Sequence, residues 1–144
     1  MSQLTEEEYF KNRLDDQIKW YNKKSAINKN YYIRFKIAVI IMAALVPFFT
    51  GNSYLAQGFR DVFVGLLGVA IAALSGISTL LKFQENWTKY RMAAEALIHE
   101  KFLYQTGSGY YKDLPDAFKE FVDRIEQILS KENTDWFKTS LKKE

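Results

Sequence analysis

The chain has 144 residues, 48% hydrophobic and 26% charged, with a formal net charge of +3. That length suits one ordinary domain. It contains no cysteine, which excludes disulfides, thiolate metal sites and cysteine nucleophiles. Basic residues interleaved with acids give little support to nucleic-acid binding through a basic patch.

These averages hide a segregation, since no charged residue falls within Ile37–Phe59 or Val62–Leu81. In the N-terminal stretch, residues 1–32, Phe10, Leu14, Ile18, Tyr21, Ser25, Asn28 and Tyr32 recur at alternating steps of three and four. That spacing predicts a cytoplasmic helix with a narrow coiled-coil seam, weakened at Asn28. The first apolar run, "IAVIIMAALVPFFT", is too short to cross a bilayer alone. Extended back to Tyr31 it becomes a full span, assigned to residues 33–50, if Arg34 and Lys36 snorkel toward the head groups. The alternative is a buried or re-entrant helix. Pro47 is expected to kink or end it. The long preceding segment and the lack of a small-residue cleavage site argue against a secretory signal.

Residues 51–61 form a short connection in which Gly51, Asn52 and Ser53 are turn formers. Tyr54, Leu55 and Phe59 are expected at the membrane interface. The second span, residues 62–81, has the sequence "VFVGLLGVAIAALSGISTLL". As a helix it measures about 30 Å, the thickness of a hydrocarbon core. No glycine or proline separates it from "KFQENWTKYRMAAEALIHEKFLY". Residues 82–106 are therefore expected to continue the same helix, from Val62 to about Thr106. Here Phe83, Trp87, Tyr90, Ala94, Leu97, Lys101 and Tyr104 form a second seam, weakened at Lys101. It is predicted to pack on the N-terminal helix. "TGSGYYKDLP" breaks the chain at Gly107 and Gly109, and residues 113–144 make a last helix and tail. Phe118, Phe121, Ile125 and Ile128 share one face of it. "SKENTDW" is expected to interrupt or bend it, before a tail with Trp136, Phe137 and Leu141.

Ten Lys and Arg residues flank the two spans on the terminal side, from Lys19 to Lys36 and from Lys82 to Lys101, against Arg60 alone in the loop. The positive-inside rule places both termini of a multi-pass membrane protein in the cytoplasm. The expected fold is an all-α membrane protein, a two-span hairpin on a cytoplasmic helical stalk.

No catalytic pattern is present: no phosphate loop, nucleophile elbow or histidine–glutamate metal motif. An enzyme, a cofactor and a metal centre are not expected. His99, the single histidine, is expected to be a surface or packing residue. Glu95 and Glu100 flank Arg91 and Lys101 at helical spacing, and are expected to be ion-paired structural residues rather than an acid/base pair. On the second span Gly65, Gly68, Ala72, Gly76 and Thr79 recur at steps of three or four, leaving one face almost bare. Such a face packs against a helix of the same chain, packs between subunits, or lines a pore with Ser75, Ser78 and Thr79 supplying hydroxyls. Packing is favoured over pore, and hydroxyls on membrane helices also bond to their own backbone. Aromatic residues near the cytoplasmic span ends fit an interfacial belt. Trp20 and Trp87 lie further out and are candidates for filling the seam.

"RLDDQIKWYNKKSAINKNYYIRFKI", the two spans, "KFQENWTKYRMAAEALIHEKFLY" and "GYY" together resemble the SLATT domains, the SMODS and SLOG-associating two-transmembrane effector domains, also known as domain-of-unknown-function family 4231. The resemblance covers Leu14 to Trp136. Its most specific block is Gln84, Glu85, Trp87, Tyr90, Arg91 and Glu95. It implies two membrane helices with cytoplasmic helical flanks. It also implies a homo-oligomeric pore-forming effector of bacterial conflict and antiphage defence systems, triggered by a nucleotide-generating or nucleotide-sensing partner protein. With no fused sensor, a partner supplies the trigger or the protein works alone. No catalytic residue carries over. Two alternatives remain: a membrane-anchored scaffold whose cytoplasmic helices bind a partner without a pore, and a soluble bundle that buries both apolar segments.

Overall fold

The computed structural model describes residues 5–51, Tyr54 and 56–141, with side chains described as far as residue 131. Asn52, Ser53, Leu55 and the side chains of Trp136, Phe137 and Leu141 lie outside the described residues. Among the described residues every regular element is helical. Helix α1 (Glu6–Tyr9) opens on a capping box. The Thr5 hydroxyl accepts the Glu8 N–H at 3.4 Å, and the Glu8 carboxylate accepts the Thr5 N–H at 3.0 Å. One π-helical turn, Phe10–Leu14, leads into α2 (Asp15–Thr50). Pro47 neither ends α2 nor stands outside it. So near the C-terminus it forfeits only the bond to the Ala43 carbonyl. Thr50 Oγ1 donates to the carbonyls of Val46 and Pro47, at 3.0 and 3.1 Å.

Beyond the loop come α3 (Gln57–Leu80) and α4 (Phe83–Gln105). The single helix expected from Val62 to about Thr106 is interrupted at Leu81 and Lys82. Lys82 has φ 50°, a left-handed conformation that favours glycine. Side chains hold the break where no glycine does. Asn86 Nδ2 donates to the Leu81 carbonyl at 3.2 Å, and Lys82 Nζ reaches Glu85 at 3.2 Å. At the far end of α4, Gly107 has φ 57°, its N–H donates to the Tyr104 carbonyl, and Ser108 donates to Leu103, each at 3.0 Å. This Schellman arrangement ends α4 where the glycines predict a break. A short 3-10 turn, Gly109–Tyr111, precedes α5 (Ala117–Leu141). The expected interruption of α5 over "SKENTDW" is absent, as a segment without glycine or proline has nothing that must break a helix.

The chain divides into two compact units. The first comprises Met1–Ser25 and Thr88–Glu144. Leu14, Leu97, Phe121 and Ile125 are fully buried there, ringed by Tyr9, Tyr21, Ala93, Ala94, Tyr111 and Leu129. The two-helix seam is thus a three-helix core, because α5 inserts Phe121, Ile125 and Leu129 beside Leu14 and Leu97. Phe121 is the hub. Its ring stacks on Tyr104 at 4.5 Å and on Phe10 at 5.2 Å, and meets the edges of Tyr9 and Tyr111. Each such buried side chain contributes about 1.5–3 kcal/mol.

The second unit comprises Ala26–Trp87. Tyr32, Phe35, Val39, Met42, Val46 and Phe49 of α2 are half-buried, as are Phe63, Leu67, Ile71, Leu74 and Ser78 of α3. Both sets keep the three-and-four spacing. Ring contacts join α2 to α3 through Phe49 and Phe63 at 4.6 Å, and α2 to the first residue of α4 through Phe83 with Tyr31 and Phe35 at 5.5 Å each. Two helical stretches are long and apolar enough to cross a membrane, and no residue in their apolar windows is buried. A soluble bundle would have to bury these segments, and they are exposed instead.

Candidate functional site

In α3 the helical period sorts the side chains onto three faces. Phe63, Leu67, Ile71, Leu74 and Ser78 are the half-buried face. Val62, Leu66, Val69, Ile77 and Leu80 make a bulky exposed face. Gly65, Gly68, Ala72, Ser75, Gly76 and Thr79 make the bare one, and all six are exposed. A Cβ built on Gly65, Gly68 or Gly76 would meet nothing within 4 Å. The small residues therefore do not pack on the first apolar helix of their own chain, which corrects that expectation. The cause is the seam, which turns Phe63, Leu67 and Leu74 toward α2 and the glycines about 130° away, at 100° per residue. Thr79 Oγ1 donates to the Ser75 carbonyl at 2.9 Å, so this hydroxyl is satisfied by its own helix backbone.

The residues of the motif block form local pairs rather than one cluster. Within the second unit, Gln84 and Glu85 are exposed, with Glu85 held by Lys82. Trp87 is half-buried, stacked on Tyr32 at 6.3 Å with Lys29 Nζ 5.6 Å from its ring. Within the first unit, Tyr90 packs between Trp20 at 5.7 Å and Tyr21 at 6.2 Å. Arg91 pairs with Glu95 on an exposed helix face. His99 is exposed.

Glu100 is ion-paired, as expected, but with a residue of α5 that spacing within α4 does not offer. Its residue is only 4% exposed, and its carboxylate engages neither Arg91 nor Lys101. It accepts the Tyr111 hydroxyl at 3.2 Å and the Arg124 guanidinium from α5. Arg124 also lies over the Tyr110 ring at 4.9 Å. Lys101 turns instead to Asp15, at 2.6 Å, beside the Phe10 ring. A second cluster ties α5 to the N-terminal segment: Glu126 accepts Arg13 through two bonds, at 3.0 and 2.9 Å, and the Tyr9 hydroxyl at 3.1 Å. The signal for both was the charge pattern of α5, which spacing within α4 alone cannot reveal.

These contacts set the titration of the unit. The Arg13 guanidinium hydrogen-bonded to Glu126 holds its carboxyl below the usual carboxylate range. Burial pushes the phenols of Tyr104 and Tyr111 up to about 12, with Glu6 and Glu100 adding to the effect. Burial, aided by Glu126, raises Tyr9 as well. Among the described residues no group of three His, Asp or Glu side chains could hold a metal ion. The polar clusters join helices, with the Tyr111 hydroxyl and the Arg124 guanidinium both bonded to Oε1 of Glu100. The chemically open surfaces are the exposed faces of the two apolar helices.

A family described as "Protein of unknown function (DUF4231)" matches residues 16–119. The match takes in nearly all of α2, then α3 and α4, and leaves Phe121, Ile125 and Leu129 outside it. No curated protein and no solved structure matches.

Proposed function

From the premise that this chain belongs to the DUF4231 family, we propose that it is a homo-oligomeric protein of the bacterial inner membrane that forms a pore. α2 and α3 form the membrane hairpin, a reading supported by the Phe49–Phe63 ring contact and by the matching half-buried seams of the two helices. The excess of Lys and Arg on the terminal side puts both termini in the cytoplasm, and the helices of the first unit serve as the cytoplasmic stalk. The observation that carries the oligomer is the bare face of α3, exposed along Gly65, Gly68, Ala72 and Gly76 with open space at each glycine. In lipid such a face supports close approach by another helix, because packing rather than the hydrophobic effect drives association there. The resemblance to SLATT domains supplies the biological setting: an effector of bacterial conflict systems that permeabilises the membrane when a nucleotide-sensing partner protein triggers it. No enzymatic activity or cofactor is assigned.

The second reading is a membrane-anchored scaffold whose cytoplasmic helices bind a partner without a pore. It draws on the absence of any charged residue within Ile37–Phe59 or Val62–Leu81 to mark an ion path. Release of dye and ions from loaded liposomes, recorded beside the oligomer size from native mass spectrometry, tests the pair. Flux from a discrete oligomer supports the pore. A discrete oligomer that stays tight, with and without candidate nucleotides, leaves the scaffold in its place.

A further inference from the structure

The outer face of α2 has a graded surface that runs the length of the second unit. Asn30, Arg34, Ile37, Ile41, Ala44 and Phe48 recur at alternating steps of four and three, and all are exposed. They lie opposite the half-buried set from Tyr32 to Phe49, so nothing within the unit covers them. From one end to the other the stripe reads amide, cation, then hydrocarbon. Arg34 stands one residue short of a turn before Ile37, about 4.5 Å along the axis, at the level where an uncharged run begins.

Charge decides what fits this stripe. The unit holds five cations and two carboxylates, Asp61 and Glu85. Both acids are already paired, Asp61 with Arg60 at 3.5 Å and Glu85 with Lys82 at 3.2 Å. Lys29 and Lys36 lie over the rings of Trp87 and Tyr32. Among the described residues no carboxylate pairs with Arg34. A second copy of this unit has no free acid to offer it. A membrane has phosphates at that depth, and a guanidinium binds phosphate through two parallel hydrogen bonds.

We infer that the Asn30–Arg34–Ile37–Ile41–Ala44 stripe binds an anionic phospholipid of the cytoplasmic leaflet, with its phosphate on Arg34 and an acyl chain along the isoleucines. The inference rests on the membrane reading given above. From Arg34 to Ala44 the helix rises about 15 Å, half the hydrocarbon thickness and so the reach of one leaflet. The bilayer in general would coat any apolar helix, whereas a fixed cation above an exposed apolar stripe selects lipids by headgroup charge.

The test uses the full chain, delipidated in mild detergent and titrated with phosphatidylglycerol or phosphatidylcholine, with bound lipid counted by native mass spectrometry. Wild type should prefer phosphatidylglycerol, and Arg34→Gln should weaken that preference about fivefold, equivalent to about 1 kcal/mol. Arg34→Lys should fall between them, and Arg60→Gln at the opposite end should match wild type. Inorganic phosphate should not displace the lipid, because it lacks the acyl chain; displacement would overturn the lipid as occupant. An unchanged preference in Arg34→Gln would sink the inference, as would a dispersed oligomer with lipid preference intact, which makes the occupant a second copy. Extraction of wild type from membranes by alkaline carbonate would instead bring down the membrane reading itself, a failure distinct from either.

Discussion

Phe121 and Glu100 show what holds the first unit together. The Phe121 ring is fully buried between Tyr104 and Phe10. Truncation to alanine removes that stacking and leaves a cavity, so Phe121→Ala should destabilise the unit by about 3–5 kcal/mol. Thermal unfolding followed by circular dichroism would measure it. Glu100 is asymmetric in a useful way. Arg124→Ala leaves a buried carboxylate with Tyr111 as its remaining partner, and should cost about 1–3 kcal/mol. Glu100→Gln keeps an acceptor for Tyr111 and should cost less. The reverse order would mean that the Arg124 pair contributes little. The phenols give a pH signature with a definite sign. Tyr104 and Tyr111 are raised to about 12 from 10.0, so the neutral form is the one the fold favours. Their contribution is complete below pH 10 and is lost as pH rises through about 12. Absorbance titration should show Tyr104 and Tyr111 still un-ionised at about pH 11, one unit below their raised values. Glu126 has the opposite sign. Its lowered value contributes above the ordinary carboxylate range and is lost as pH falls through the folded value, loosening the tie between α5 and Arg13 in acid.

The break between α3 and α4 is set by four residues. Lys82 at φ 50° carries a side chain where glycine is at home. Lys82→Gly should therefore stabilise the turn by about 0.5–1 kcal/mol, less whatever the exposed Lys82–Glu85 pair contributes. Lys82→Val should destabilise it, since a branched Cβ crowds the left-handed conformation. Amide exchange at Phe83–Asn86 reports the local change, and faster exchange in the glycine variant would contradict the argument. This break was not legible in the residues, because helix propensity over Leu81–Glu85 contains nothing that opposes continuity and the stop is made by Asn86 reaching back. Gly107, by contrast, announced its break, since it supplies the left-handed residue that the end of α4 requires. The seam positions Leu14, Tyr21, Ser25, Ala94 and Leu97 were legible from spacing alone, and all five are buried. Their third partner was not, because the period of α5 identifies its apolar face without saying what that face meets. The bare face of α3 was likewise legible as a face, but only the packing of Phe63, Leu67 and Leu74 shows that it points away from its own chain.

At the scale of the whole molecule, topology comes before conduction. Single cysteines at Tyr54, which is 97% exposed, and at Gln105 should react differently in intact cells: the first with an impermeant thiol reagent added outside, the second only once the membrane is opened. Labelling of Gln105→Cys alone would invert the orientation. Conduction then turns on what the bare face of α3 touches. A leucine at Gly68 or Gly76 meets no atom of its own chain within reach of its Cβ. Apart from the gain in helix propensity of about 1 kcal/mol, which stabilises α3 itself, a loss on Gly68→Leu or Gly76→Leu points to another subunit, to a lumen or to lipid, and each answers differently. Against another helix, the added side chain cannot fit where backbones touch, so the oligomer should disperse and flux should vanish with it. Facing a lumen, it should narrow the path, so flux should fall while native mass spectrometry still shows the assembled species. A narrow lumen lined by small residues and hydroxyls would gate by dewetting, and Thr79→Val should then lower flux without a change in assembly. Facing lipid, it should change neither, as Leu66→Ala on the bulky face should not. Two unchanged readouts for Gly76→Leu would remove the bare face from both assembly and conduction. The scaffold would then be the reading left, resting on the helices of the first unit.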